Sequence, residues 1–231
     1  MFYFSPTYLI YMIPAFILMA LTSWYVKSAY RKWSRVAVSS RLTGAQAAQR
    51  LMSTGNLYGL QIQGVAGELT DHYDPRNKTL YLSQGVGNGN SVASVAIAAH
   101  ELGHAMQDAE EYFPLRFRSA LVPIVNIGSN LGWFLIMIGL FLNFTQLAWL
   151  GVIVFAGGAV FALATLPVEF DASARAKQLL AQTGIIQTEE EKRGVNAVLN
   201  AAALTYVAGL ITAILQLLYY VSLVGGGRRR S

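Results

Sequence analysis

Three long stretches of the chain carry no Asp, Glu, Lys or Arg, and the polar residues between them fall into short patterned segments. Residues 1–26, 119–168 and 194–227 are uncharged. A helix that crosses a bilayer needs about 20 mostly apolar residues. The first tract therefore predicts one span at about Tyr8–Val26, and the third predicts another at about Ala201–Val224. The middle tract has room for two spans, the later one at about Leu147–Leu166, with the polar dip Asn143-Phe144-Thr145-Gln146 as the turn between them. The expected fold class is mainly α, a polytopic membrane protein with about four transmembrane helices. Its expected parts are a membrane helix over 1–26, a polar unit over 27–118, a membrane hairpin over 119–166, a polar helical segment over 167–199, and a last membrane helix with its tail over 200–231.

The polar segments have their own periodicities. Residues 42–55 read as a helix with Thr43 at its N-cap and Gly55 as its stop. Leu60–Val65 and Lys78–Ser83 alternate at period two and predict short strands, with a turn at 74–77 before the second. Residues 85–90 form a glycine-rich loop feeding an apolar helix capped by Asn90 or Ser91. A small α+β unit of roughly ninety residues is expected here. In the second span, Gly128 and Gly132 are spaced for close helix packing, and Asn126 and Asn130 are expected to face neighbouring helices. After Pro167 a helix starts and runs to about Gln182, and Glu189–Arg193 opens the helix of the fourth span.

Composition agrees with membrane residence. Hydrophobic residues make up 54% and charged residues 13% of the chain, about half the usual charge of a soluble protein. The first span has no basic residue before it, so it does not read as a secretory signal. The 27–35 segment alternates basic and aromatic residues, as an interface anchor does. Ten Lys and Arg residues lie between spans one and two, four between spans three and four, and none in the turn between spans two and three. Basic residues favour the cytoplasmic side, which puts the two polar segments there and both termini outside. The tail Arg228-Arg229-Arg230 falls on the opposite side and dissents. The net charge of +5 is thereby explained by lipid contact rather than by nucleic acid, which is not an expected partner.

The candidate chemistry lies in the capped helix, where His100-Glu101-Leu102-Gly103-His104 reads His-Glu-x-x-His. Residues four apart share a helix face, so both imidazoles can hold one zinc ion, with Glu101 beside it. From there Glu101 can take a proton from a zinc-activated water and pass it to a leaving amine. Gly103 is expected to leave room near the metal. With no cysteines, the remaining ligand must be an imidazole or a carboxylate. The hairpin of spans two and three returns the chain to the same side, where Glu169 is the first carboxylate. His72 competes for the role. Asp108 shares a face with His104 but lies about 12 Å along the axis from His100.

The segments DHYDPRNKTLYLS (71–83), AAHELGHAMQDAE (98–110), PLRFRSALVPIVNIGSNLGW (114–133) and LPVEFDASARA (166–176) together resemble the YugP-like membrane zinc metallopeptidases of bacteria, which are more distantly similar to HtpX-type and prenyl-protein proteases. The resemblance implies a zinc-protease unit on the cytoplasmic side of the cell membrane, with gluzincin-like chemistry and one Zn2+ per chain. It maps the ligands onto His100, His104 and Glu169, and the base onto Glu101. The HtpX-like relatives place an aspartate four residues after the ligand glutamate; here that position is Ser173, with Asp171 nearby. The expected partners are the lipid bilayer and a membrane-associated protein or peptide substrate, and a homo-oligomer is compatible. The substrate is expected to pair with an exposed edge such as Lys78–Ser83, while His72, Tyr73 or Arg175 stabilises the oxyanion. Two competing readings are a membrane zinc transporter and a non-catalytic scaffold bearing zinc. Transport calls for ionisable residues inside the spans, and the long apolar tracts contain none.

Overall fold

The computed structural model describes residues 5–55 and 57–226, so the arginine tail lies outside the described residues. The elements follow in the order α1 (Pro6–Trp33), α2 (Gly44–Thr54), β1 (Gln61–Val65), β2 (His72–Asp74), β3 (Thr79–Ser83), α3 (Gln84–Gly87), α4 (Val92–Ala109), α5 (Phe113–Phe141), α6 (Thr145–Phe155), α7 (Gly157–Gln182) and α8 (Glu189–Gly226). Among the described residues, four helical stretches are long and apolar enough to cross a membrane: Pro6–Trp33, Phe113–Phe141, Thr145–Gln182 and Glu189–Gly226. The third is α6 and α7 in succession, interrupted only at Ala156.

Two compact units divide the chain. The described parts of Met1–Thr22, Arg116–Leu166 and Thr205–Ser231 make one of them. Here α5 and α6 form a hairpin whose turn carries Asn143 in the left-handed region, at φ 53°. Small residues let the two backbones touch. A Cβ on Gly132 would stand 2.8 Å from the Phe155 nitrogen, and one on Gly139 would stand 2.4 Å from the Ala148 nitrogen. Asn126 and Asn130 depart from expectation, because both are exposed. The Asn130 amide donates to the Asn126 carbonyl of its own helix instead, at 3.2 Å.

The other unit comprises Ser23–Leu115 and Pro167–Leu204. Local chemistry sets its helix starts. Thr43 and Gln46 form a reciprocal capping box at α2. Ser91 accepts from the Ser94 amide at α4, and at α8 Thr188 caps the Glu191 amide at 3.1 Å. The buried Glu191 carboxylate also accepts from the Ser39 amide, which ties the 36–41 segment to α8. The sheet order is β1-β3-β2, with β1 parallel and β2 antiparallel to β3. Its central strand supplies Leu80 and Leu82 to the core, where they join Val38, Leu51, Leu102, Leu180 and Leu199.

Three features differ from the periodicity. The 72–74 segment, too short to show alternation, is a strand. The expected loop at 85–90 begins with the short helix α3. Pro167 does not start a helix; it lies inside α7, where its ring removes one N–H from the ladder and crowds the carbonyl four residues back. The docking edge expected at Lys78–Ser83 is corrected as well, since β3 is paired on both sides.

Candidate metal centre

Helix α4 is almost wholly apolar and small before residue 100, so it is buried from Val92 to Gly103 except for the half-buried Ile97. That burial carries its polar side chains into a low-dielectric interior, where they need partners. One helical turn separates His100 from His104, and their rings meet edge to face with centroids 4.8 Å apart. Glu169 on α7 is only 3% exposed and faces both rings. Its Oε2 lies 3.3 Å from His100 Nε2 and 3.6 Å from His104 Nε2.

These three donor atoms lie within 4.8 Å of one another. Ligands held tetrahedrally at about 2.0–2.2 Å from zinc stand about 3.3–3.6 Å apart. The spacing and the two-imidazole, one-carboxylate donor set therefore fit a zinc ion with one position left over. His72 is not part of this cluster. Its exposed ring stacks on Tyr81 at 4.8 Å, and its Nδ1 lies 2.9 Å from the Thr70 carbonyl. Asp108 is also apart, accepting from the Tyr73 hydroxyl at 2.8 Å.

Gly103 serves a different purpose from the one expected of it. A Cβ there would stand 2.4 Å from the Ala172 carbonyl oxygen on α7. The missing side chain makes room for a neighbouring backbone, and it is this approach that lets two helices share one cluster. Around the cluster a second set of contacts orients these side chains. Ser173 Oγ lies 3.1 Å from His100 Nδ1. Gln107 Oε1 lies 3.0 Å from His104 Nδ1, while its Nε2 donates to the Val168 carbonyl and to Asp171 Oδ2, each at 2.8 Å. Arg175 closes the outside. It donates to Asp171 at 2.5 Å and to Glu110 at 2.7 Å, and it covers the Tyr112 ring.

Glu101 sits beside the cluster, 9% exposed. The Tyr73 amide of β2 donates to its Oε2 at 3.1 Å. Burial pushes the Glu101 carboxyl above its ordinary range, opposed by attraction to His100 and His104. For His104, burial works against the charged form, but the Glu169 hydrogen bond and the Glu101 charge prevail and raise it. The Tyr73 hydroxyl is also raised, by burial and then by its bond to Asp108, so it stays a donor at neutral pH.

The structure thus brings His100, Glu101, His104 and Glu169 together, with Tyr73 reaching them by its backbone and Asp171 through Gln107. It places His72 on the exposed edge strand and engages Arg175 with two carboxylates. Sequence reasoning missed Gln107 altogether. The available signal was its position three residues after His104, on the same helix face.

A family model described as "Putative neutral zinc metallopeptidase" matches residues 8–225. The chain belongs to this family of zinc metallopeptidases. A curated relative, "Putative membrane protease YugP" of Bacillus subtilis (strain 168), is 43% identical over 203 residues, covering 88% of this chain and 90% of the relative. No solved structure matches the chain.

Proposed function

We propose that this protein is a zinc-dependent membrane endopeptidase that hydrolyses peptide bonds of membrane or membrane-proximal proteins at the cytoplasmic face. The observation that carries this reading is the convergence of His100 Nε2, His104 Nε2 and Glu169 Oε2 beside the buried Glu101 carboxylate. His100, His104 and Glu169 are the proposed ligands of a single zinc ion. When bound, zinc supplies a Lewis acid that polarises the scissile carbonyl and makes nearby water more acidic.

The chain's own residues do the rest. Glu101 is the general base: its carboxylate takes a proton from the attacking water and delivers it to the leaving amine nitrogen. The Tyr73 amide holds that carboxylate in place. Because this N–H points away from β3, Tyr73 occupies a non-hydrogen-bonded position opposite Leu80. Its carbonyl then faces the open edge of β2, where an extended substrate can add as a strand. His72, exposed on the same strand, is assigned to the substrate rather than to the metal. Arg175 and Asp171 are positioning residues, holding the end of α4 against α7. The basic residues between spans one and two and between spans three and four support a cytoplasmic site.

The test is cleavage of an unfolded protein substrate by the purified chain in detergent. Activity should disappear on dialysis against a chelator and return with about one equivalent of zinc. Undiminished activity in the fully chelated protein would overturn the zinc reading.

A further inference from the structure

We infer that Gln107 is a positioning residue of this centre: its amide fixes the tautomer of His104 and ties that ligand to the turn of α7 carrying Glu169. The inference builds on the zinc reading above. Gln107 is completely buried, so each end of its amide must meet a suitable partner.

The partners on α7 leave no choice of orientation. The Val168 carbonyl can only accept, and the Asp171 carboxylate, ion-paired with Arg175, accepts as well. Both lie 2.8 Å from the same Gln107 atom, which must therefore be the NH2 group. A flipped amide would set its oxygen against two acceptors in a buried space. The Gln107 carbonyl oxygen is thereby forced to face His104 Nδ1 at 3.0 Å, and that nitrogen must carry the proton. That leaves Nε2, on the side of Glu169, as the ring nitrogen offered to the metal.

His100 is held differently. Its Nδ1 faces the Ser173 hydroxyl at 3.1 Å, and a hydroxyl can rotate to donate or accept. One histidine is locked and the other is free to choose. Because Val168 is next to Glu169 in the chain, the same amide also fixes the third ligand relative to the first two. Partners of this kind are worth about 10–100-fold in metal affinity.

The test uses the full chain in detergent. Zinc dissociation constants are measured by competition with a chromophoric chelator for wild type and Gln107→Leu, alongside melting of the metal-free proteins. Gln107→Leu should weaken zinc about 10–100-fold. Wild-type affinity in Gln107→Leu overturns the inference even if that variant melts lower.

A measurement on the zinc-loaded protein reads the ring directly. With 15N-labelled histidine, zinc-loaded wild type should show a His104 Nδ1–H signal that exchanges slowly with solvent, and this exchange should be faster in Gln107→Leu. Zinc-loaded wild type with His104 protonated at Nε2, or an Nδ1–H signal unchanged by Gln107→Leu, overturns the inference. A wild type that binds no zinc defeats the metallopeptidase reading, whereas the His104 ring signal of the zinc-loaded protein judges Gln107 alone.

Discussion

Gly103 on α4 faces the Ala172 carbonyl on α7 so closely that a Cβ would stand 2.4 Å from its oxygen. The obstacle is backbone, so it cannot swing aside as a flexible side chain would. Gly103→Ala should force the helices apart, lowering stability by about 1–3 kcal/mol and weakening zinc binding as Glu169 recedes from the imidazoles. Thermal melting and zinc titration check this. Unchanged melting and affinity would contradict the close approach.

Variants of Glu169 and Asp108 test the proposed metal role against a structural one. Glu169→Ala should be isolated without zinc and without activity, because two imidazoles are half of a tetrahedral set. Asp108→Ala should keep its zinc, since its partner is the Tyr73 hydroxyl. Elemental analysis of the purified variants decides. Stoichiometric zinc in Glu169→Ala with loss in Asp108→Ala would reverse the assignment.

Much of this was legible in the residues. The uncharged tracts located the four apolar helices because a soluble fold rarely leaves about 20 consecutive residues both apolar and without charge. Ser91 and Thr43 announced their helices through caps that act within one turn. What could not be read were relationships between distant segments. Nothing local marks β3 as the central strand, because the identity of its neighbours depends on β1 and β2 folding onto it. The true role of Gly103 was hidden for the same reason: an open space and a close-packed backbone look alike from one side. The partnership of Gln107 with Val168 and Asp171 spans 61 and 64 residues, beyond the reach of any periodicity.

The proposed topology follows from ten basic residues between the first two spans and four between the last two. Reporters active only in the cytoplasm should work when fused after Arg41 or Glu191 and should fail at Asn143. A working reporter at Asn143 would put the hairpin turn on the cytoplasmic side and invert the arrangement.

The proposed base and the proposed ligands are expected to separate cleanly in one variant. Glu101 lies beside the cluster without belonging to it, so Glu101→Gln should retain its zinc. Its carboxamide cannot take the proton from water, and cleavage should fall by about two to four orders of magnitude. The decisive measurement is the cleavage rate of zinc-loaded Glu101→Gln beside zinc-loaded wild type on the same protein substrate. Full zinc with cleavage reduced by about a hundredfold or more is the predicted result; full zinc with wild-type cleavage would contradict the account.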